Sequence, residues 1–241
     1  MSSRFFRIFP LHLKALLIQY NQQPSKVLLE KLLSFKILIE KEVKVSRCVM
    51  GYQSLLIHLN EEINNLSWWK HRLNELQIKS EIKKIKINKG KLWKIPVCYD
   101  NKYAPDLLSL SKALKLEIDE LIKIHTQTKY RIYFLGFLPG FLYLDGLDER
   151  LHFPRKVNPI LNVPKGAVGI GGKQTGVYPN FSPGGWHLIG NTPISLFDIK
   201  QNPPCFASPG DWVSFTSIDQ KTYNDLEKKN QKDKFKFLPY D

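Results

Sequence analysis

Two kinds of hydrophobic pattern divide this chain. In the first region Ala15–Tyr20 is an apolar run of strand length, and Leu28, Leu29, Leu32, Leu33, Ile37 and Leu38 recur at helical spacing behind Ser25. Serine caps helix N-termini, so the spacing predicts a helix from Lys26 to Lys41. Val43–Met50 and Ser54–Leu59 read as two strands joined at Gly51-Tyr52. Ile63, Leu66, Trp69, Leu73 and Leu76 share one face of a second helix, expected from Glu61 to Gln77. This β-α-β-β-α order predicts an open sheet with helices on one side. The stretch 83–89 alternates lysine with isoleucine, as a strand with one solvated face would.

Lysine and glycine break the pattern near Asn88–Trp93, and Ile95-Pro96-Val97-Cys98-Tyr99 opens a second region. The expected division is therefore 1–90, a small α/β domain, and 91–241, a β-rich domain with a C-terminal helix and tail. Ala104-Pro105-Asp106 reads as a helix entry, and Ile118–His125 as a short helix. From Tyr130 to Phe215, strand-sized apolar pieces alternate with glycine and proline turns, the spacing of a barrel or compact sandwich. One short helix and a frayed end are expected beyond Ile218. The fold class is α+β.

Composition narrows the functions. Of the 241 residues 43% are hydrophobic and 24% charged, ordinary for a soluble globular protein. Cys48, Cys98 and Cys205 stand far apart without a CxxC pair, which excludes a disulfide framework or zinc ribbon and points to a reduced, cytoplasmic setting. No apolar run reaches the roughly 18–20 residues of a membrane span, and His12 and Lys14 interrupt what would be a signal-peptide core. The net charge of +14 is mostly lysine, without the arginine and interleaved aromatics of a nucleic-acid surface. Neither nucleic acid nor membrane is an expected partner.

Several motifs fail on inspection. Gly171-Gly172-Lys173-Gln174 has Ala167 where a Walker loop needs glycine, and Gln174 where it needs serine or threonine. Gly169-Ile170-Gly171 lacks the third glycine of a dinucleotide fingerprint and a following helix. No HExxH pair offers metal-ligand spacing, and no Gly-x-Ser-x-Gly elbow is present. No metal site is expected. What remains is the block from Tyr130 to Phe197, where glycine and proline interleave with phenylalanine, tyrosine and tryptophan. A flexible linker is poor in aromatics, so these turns are expected to pack and to build a concave binding surface.

The residues of that block carry a family resemblance. Gly136-Phe137-x-Pro139-Gly140-Phe141-x-Tyr143-Leu144-x-Gly146-Leu147, Pro154-Arg155, Val163-Pro164-x-Gly166, Gln174-Thr175-Gly176-x-Tyr178-Pro179 and Ser182-Pro183-Gly184-Gly185-Trp186 with Gly190-x-Thr192-Pro193 resemble the family of 5-oxoprolinase B-subunits. That family is also called allophanate hydrolase subunit 1 and includes the sporulation kinase A inhibitor. Ile95-Pro96-Val97-x-Tyr99, Pro105-Asp106-Leu107, His125 and Pro209-Gly210-Asp211 extend the match. The resemblance implies a small α/β domain followed by a cyclophilin-like β-barrel. It implies one component of an ATP-dependent enzyme, working with a related C-subunit and an A-subunit to open 5-oxo-L-proline to L-glutamate. It also leaves two other readings: a regulator docking on a sensor histidine kinase, and one component of a hydrolase or carboxylase acting on another amide or urea-type substrate.

Chemistry assigns roles to the matched positions. A lactam carbonyl is unreactive until its oxygen is phosphorylated by ATP, so phosphate, carboxylate and amide must be held together in a water-poor cleft. Arg155 is the expected anion ligand, because its planar fork pairs with carboxylate or phosphate. Gln174 and Ser182 would hydrogen-bond amide or phosphate, Tyr143, Tyr178 and Trp186 would form walls, and His125 or His187 would transfer a proton. The sequence departs from the family at Ile160 and Asn191, where arginines are usual, and at Asp100-Asn101-Lys102 and Lys165-Gly166-Ala167. Either the substrate differs or those arginines are structural.

Overall fold

The computed structural model describes residues 6–82 and 90–231. Contacts cluster into two units, residues 1–89 and 90–241. No helix among the described residues is long and apolar enough to cross a membrane.

In the first unit the elements run β1 (Phe6–His12), β2 (Ala15–Tyr20), α1 (Lys26–Glu42), β3 (Val45–Met50), β4 (Ser54–Leu59) and α2 (Leu66–Ile82). The sheet is antiparallel in the order β1-β2-β4-β3. Register puts Phe6 opposite Tyr20, Ile18 opposite Leu55 and Leu16 opposite Ile57. All six are buried, so one face of the sheet is continuously apolar. Helix α1 covers that face with Leu28, Leu29, Leu32, Leu33, Phe35, Leu38 and Ile39. Its start is fixed by Ser25, whose Oγ accepts from Leu28 N at 3.2 Å.

Three expectations for this unit change. Ile37 is exposed, and Phe35 and Ile39 take its place in the core. Helix α2 begins at Leu66 rather than Glu61. Asn65 Oδ1 accepts from Trp68 N at 2.9 Å and caps the helix there, while Ile63 N is spent on Leu13 O at 2.7 Å. Strand β1 has no counterpart in the sequence pattern, and its burial is confined mainly to Phe6. The strand expected at 83–89 and the frayed end beyond 231 lie outside the described residues.

The second unit runs β5 (Leu92–Cys98), α3 (Leu107–Leu114), α4 (Ile118–Gln127), β6 (Lys129–Leu135), β7 (Leu142–Asp145), a 3-10 turn (Glu149–Leu151), β8 (Ile160–Val163), β9 (Ala167–Gly171), β10 (Gln174–Val177), β11 (Ser182–Gly184), β12 (His187–Asn191), β13 (Trp212–Ile218) and α5 (Gln220–Gln231). Seven strands close a barrel in the order β10-β7-β6-β13-β5-β12-β9. An odd ring cannot alternate direction all the way round, and the parallel pair is β13 with β5, from Trp212–Leu92 to Ile218–Cys98. Asp211 fastens the start of this pair: its carboxylate accepts from Lys91 N at 2.8 Å, Trp93 Nε1 at 2.9 Å and Ser208 N at 3.0 Å. The expected α+β class with a barrel is what the chain adopts.

Inward residues of the strands, among them Ile95, Val97, Ile132, Leu142, Leu144, Val168, Ile170, Val177, Val213 and Phe215, form one core, to which α3 and α4 add Leu107, Leu110, Leu121 and Ile124. Outside the barrel, β8 and β11 make a two-stranded ribbon, with Ser182 opposite Val163 and Gly184 opposite Ile160. Between ribbon and barrel lies a second, smaller apolar cluster: Phe141, Val163, Ala167, Tyr178, Trp186 and Leu188.

Candidate functional site: an aromatic face on the outside of the barrel

The site follows from strand alternation. In β9, Val168 and Ile170 point into the barrel core, so Gly169 and Gly171 face outward. In β10, Thr175 and Val177 are buried inward while Gln174 and Gly176 face out, and Gly176 lies opposite both Gly169 and Tyr143. Three outward glycines leave a bare floor, and Trp186 occupies it. A Cβ added to Gly171 would stand 2.3 Å from Trp186 Cδ1; at Gly169 it would meet Trp186 Cβ at 3.1 Å and at Gly176 Trp186 Cζ3 at 3.0 Å. The glycines are there for space, so that an indole can lie flat against the sheet.

Aromatic rings pack around that indole. Phe141 is edge-on to Trp186 at 5.5 Å and to Tyr178 at 5.2 Å. Tyr143 stacks on Phe134 at 4.3 Å and meets Trp186 edge-on at 6.5 Å. Burial pushes the Tyr178 hydroxyl up to about 12, against the opposing pull of the Trp186 backbone and the Arg155 charge. Burial also raises the Tyr143 hydroxyl, again opposed by Arg155. Both phenols are therefore hydrogen-bond donors at neutral pH and not bases.

The Arg155 guanidinium carbon lies 5.7 Å from the centre of the Trp186 ring, and Arg155 Nη2 donates to Gln174 Oε1 at 3.3 Å. Arginine only donates, so the Gln174 oxygen must face it and the Gln174 Nε2 amide is left as a donor. Among the described residues no carboxylate pairs with Arg155. Its backbone is braced on both sides. Phe153 and Gly172 exchange backbone bonds at 3.0 and 2.7 Å, and Lys156 N donates to Gly185 O at 2.7 Å. Lys156 Nζ reaches Asp106 Oδ1 at 2.7 Å, and Asp106 Oδ2 accepts from Leu188 N at 2.7 Å. Finally, His187 Nε2 lies 3.0 Å from Pro154 O. A carbonyl only accepts, so Nε2 carries a proton.

The expected site residues thus separate into two groups. Arg155, Gln174, Tyr143, Tyr178 and Trp186 share the outer face, with His187 beside Pro154. Ser182 is buried in the ribbon, where its Oγ donates to Pro183 O at 3.1 Å. His125 is fully enclosed by the barrel core, bonded to Tyr99 and Thr175 through its two ring nitrogens and stacked on Phe215 at 4.5 Å. Burial drives its pKa down to about 3, and it lies in the core, away from the outer face that carries Arg155. Sequence reasoning missed the glycine floor, the Asp106–Lys156 brace and Thr175. The glycine floor had a readable signal in the alternation Gly169-Ile170-Gly171, apolar in and bare out. Among the described residues no three His, Cys, Asp or Glu side chains converge as a metal would require. A separate cleft of about 380 Å³ lies within the first unit between Glu42, Trp68, Trp69 and Arg72, and its Arg72 is already paired with Glu42 at 3.1 Å.

Residues 6–207 match the family described as the carboxyltransferase domain, subdomains C and D. The chain belongs to this family. Among curated relatives it is 48% identical over 130 residues to the 5-oxoprolinase B-subunit of Bacillus subtilis, covering 54% of each chain. It is 49% identical over 121 residues to the 5-oxoprolinase B-subunit of Escherichia coli O157:H7, covering 50% of this chain and 56% of that one. The chain thus spans about half the length of the curated relatives it matches. Among solved structures, a conserved uncharacterized protein from Pyrococcus horikoshii is 38% identical with a TM-score of 0.54, over 90% of this chain and all of that one. The urea carboxylase of Kluyveromyces lactis shares the fold at a TM-score of 0.76 and 19% identity, over 98% of this chain and 24% of that one.

In this carboxyltransferase-domain chain Ile160 and Asn191 both have structural employment. Ile160 sits opposite Gly184 on the ribbon and packs against the Tyr178–Trp186 cluster. Asn191 is buried at the end of β12: its Nδ2 donates to Lys165 O at 2.9 Å and its Oδ1 accepts from Tyr223 at 2.8 Å, tying α5 to the barrel. A Cβ on Gly166 would fall 2.5 Å from Asn191 Oδ1, so Gly166 (φ +79°) is required there for both space and conformation.

Proposed function

We propose that this chain is the B-subunit of an ATP-dependent 5-oxoprolinase, acting with a C-subunit of related, carboxyltransferase-family type and an A-subunit to hydrolyse 5-oxo-L-proline to L-glutamate. The observation that carries the reading is Arg155: a guanidinium held over an indole, braced through its backbone, and without a carboxylate partner among the described residues. It is suited to an anion that is also flat. The 5-oxoproline carboxylate would take the fork of Arg155, and the lactam ring would lie against Trp186 and Tyr143.

The remaining groups suit the rest of the reaction. The Gln174 Nε2 amide would donate to the lactam oxygen. Transfer of the ATP γ-phosphoryl group to that oxygen, with loss of the lactam N–H proton, makes the ring carbon electrophilic; water adds to it, the ring C–N bond breaks as the amine takes up protons, and a second water cleaves the resulting acyl phosphate to carboxylate and phosphate. His187, next to Trp186 in the chain, would move a proton through Nδ1. The names of the curated relatives support the substrate. Exposed Val157, Leu161 and Phe181, at 94%, 77% and 73% of their full accessibility, support a partner protein that covers the ribbon. The test is 5-oxoproline-dependent ATP hydrolysis by the A- and C-subunits with and without this chain. Turnover that disappears on its omission is expected. Unchanged turnover, or failure to assemble with the C-subunit, would overturn the reading.

A further inference from the structure

The strand that presents Gln174 on its outer side is held from the inside by a hydrogen-bond chain whose polarity can be assigned atom by atom. Thr175 Oγ1 donates to Gly169 O at 3.0 Å. A hydroxyl has one proton, so the same oxygen must accept from His125 Nε2, 3.0 Å away. The proton of the neutral imidazole therefore sits on Nε2. Nδ1 is the acceptor, and the Tyr99 hydroxyl donates to it at 2.8 Å. Tyr130 completes the set by donating its hydroxyl to His125 O at 2.8 Å. Every donor in the chain meets an acceptor, from the end of β5 through α4 and β10 to β9.

Thr175 stands between Gln174 and Gly176. Adjacent strand residues face opposite sides, so fixing the Thr175 hydroxyl inside fixes where its two neighbours stand outside. One of them meets Arg155 at 3.3 Å, and the other lies beneath Trp186. Gln174 is the first residue of β10, directly after the Gly172–Lys173 turn, and stands opposite Gly171 at the end of the ladder. On the reading of this face as a 5-oxoproline site, we propose that His125 is a positioning residue for it: locked as the Nε2–H tautomer, it sets β10 through Thr175 and so aligns Gln174 with Arg155 and Gly176 with Trp186. The histidine takes no proton from the reaction. Its part is to present a donor of fixed direction that a lysine, tyrosine or water would not hold equally still in the core.

Thr175→Val and Thr175→Ser, each in the assembled enzyme, test this. Valine matches the shape but neither accepts from Nε2 nor donates to Gly169; serine does both. Thr175→Val is expected to raise the KM for 5-oxoproline at least about fivefold with kcat within about twofold, while Thr175→Ser stays near wild type in both. A loss of fold would instead lower the active fraction and leave KM unmoved. Two readouts need no turnover. The Trp186 indole Nε1–H resonance should move in Thr175→Val and return in Thr175→Ser, and the imidazole nitrogens should show His125 protonated at Nε2. An unmoved indole resonance in Thr175→Val, a Thr175→Ser protein as impaired as Thr175→Val, or a proton on Nδ1 would overturn the inference. If the wild-type assembly does not turn over 5-oxoproline, the functional reading fails, and the indole and imidazole resonances still decide this one.

Discussion

The indole of Trp186 occupies the space that a side chain at position 171 would fill: a Cβ on Gly171 would lie 2.3 Å from Trp186 Cδ1 and 2.5 Å from its Nε1. Trp186 is buried and hemmed in by Phe141 and Tyr178, so it cannot swing aside cheaply. Gly171→Ala is expected to destabilise the barrel domain by about 1–3 kcal/mol, the usual cost of overpacking. It should also displace the ring on which Arg155 rests. Urea unfolding and tryptophan fluorescence would show both, and a variant with wild-type stability and emission would mean that the floor yields.

The Asp106–Lys156 pair predicts a second effect. Asp106 reads in the sequence as a helix entry, yet its carboxylate makes no cap bond to α3 and instead holds Lys156 and the backbone of Leu188. Asp106→Asn keeps the shape and removes the charge. A loss of about 1–3 kcal/mol of stability is expected, and, for the proposed reaction, a higher KM for 5-oxoproline because the segment 154–156 that carries Arg155 slackens. A KM equal to that of wild type would show that Arg155 is held without this brace.

His125 makes stability depend on pH. In the folded chain its pKa is lowered by burial to about 3, whereas an unfolded histidine titrates near 6.5. Below about pH 6.5 the unfolded chain binds a proton that the folded chain refuses, so this contribution is fully present above that pH and declines as pH falls. The slope is at most about 1.4 kcal/mol per pH unit between about 6.5 and 3. Unfolding of wild type and His125→Gln between about pH 7 and 5 measures it. The variant should lose that share of the slope, and parallel curves would contradict a buried neutral imidazole.

Asn191 offers a contrast. Its two bonds lie at the junction of β12, the Pro164–Gly166 turn and α5, where Tyr223 also packs on Tyr103 at 4.2 Å. Asn191→Ala is expected to cost about 1–3 kcal/mol in unfolding experiments while leaving kcat/KM for 5-oxoproline within about twofold. A large loss of turnover in a stable variant would place Asn191 in the site.

How much of this was legible depended on the range of the interaction. Helix α1 was readable because its cap and its leucine stripe are local, and only Ile37 left the core, where Phe35 and Ile39 stand instead. The start of α2 was not, because Asn65 wins the capping over the residues before it through one side-chain bond. Strand β1 carries little burial beyond Phe6, so its alternation gave no signal. Closure of the barrel rests on β13 pairing with β5 across the length of the domain, which no local pattern announces. In the site, residue types pointed to Arg155, Trp186 and Gln174, whereas the inward turn of His125 is decided by which face of α4 the barrel covers. Histidine on an amphipathic helix reads equally well as catalytic or as core.

Carboxylate recognition by Arg155 is tested most directly by comparing 5-oxoproline with 2-pyrrolidinone, the same lactam without the carboxylate, in the assembled enzyme carrying wild-type chain or Arg155→Ala. A charge-assisted pair contributes about 1.5–3 kcal/mol, or about ten- to a hundredfold. Arg155→Ala should lower kcat/KM for 5-oxoproline by that factor, leave the slow 2-pyrrolidinone reaction unchanged, and leave the complex intact. An Arg155→Ala enzyme that still prefers 5-oxoproline by the wild-type ratio would contradict the site.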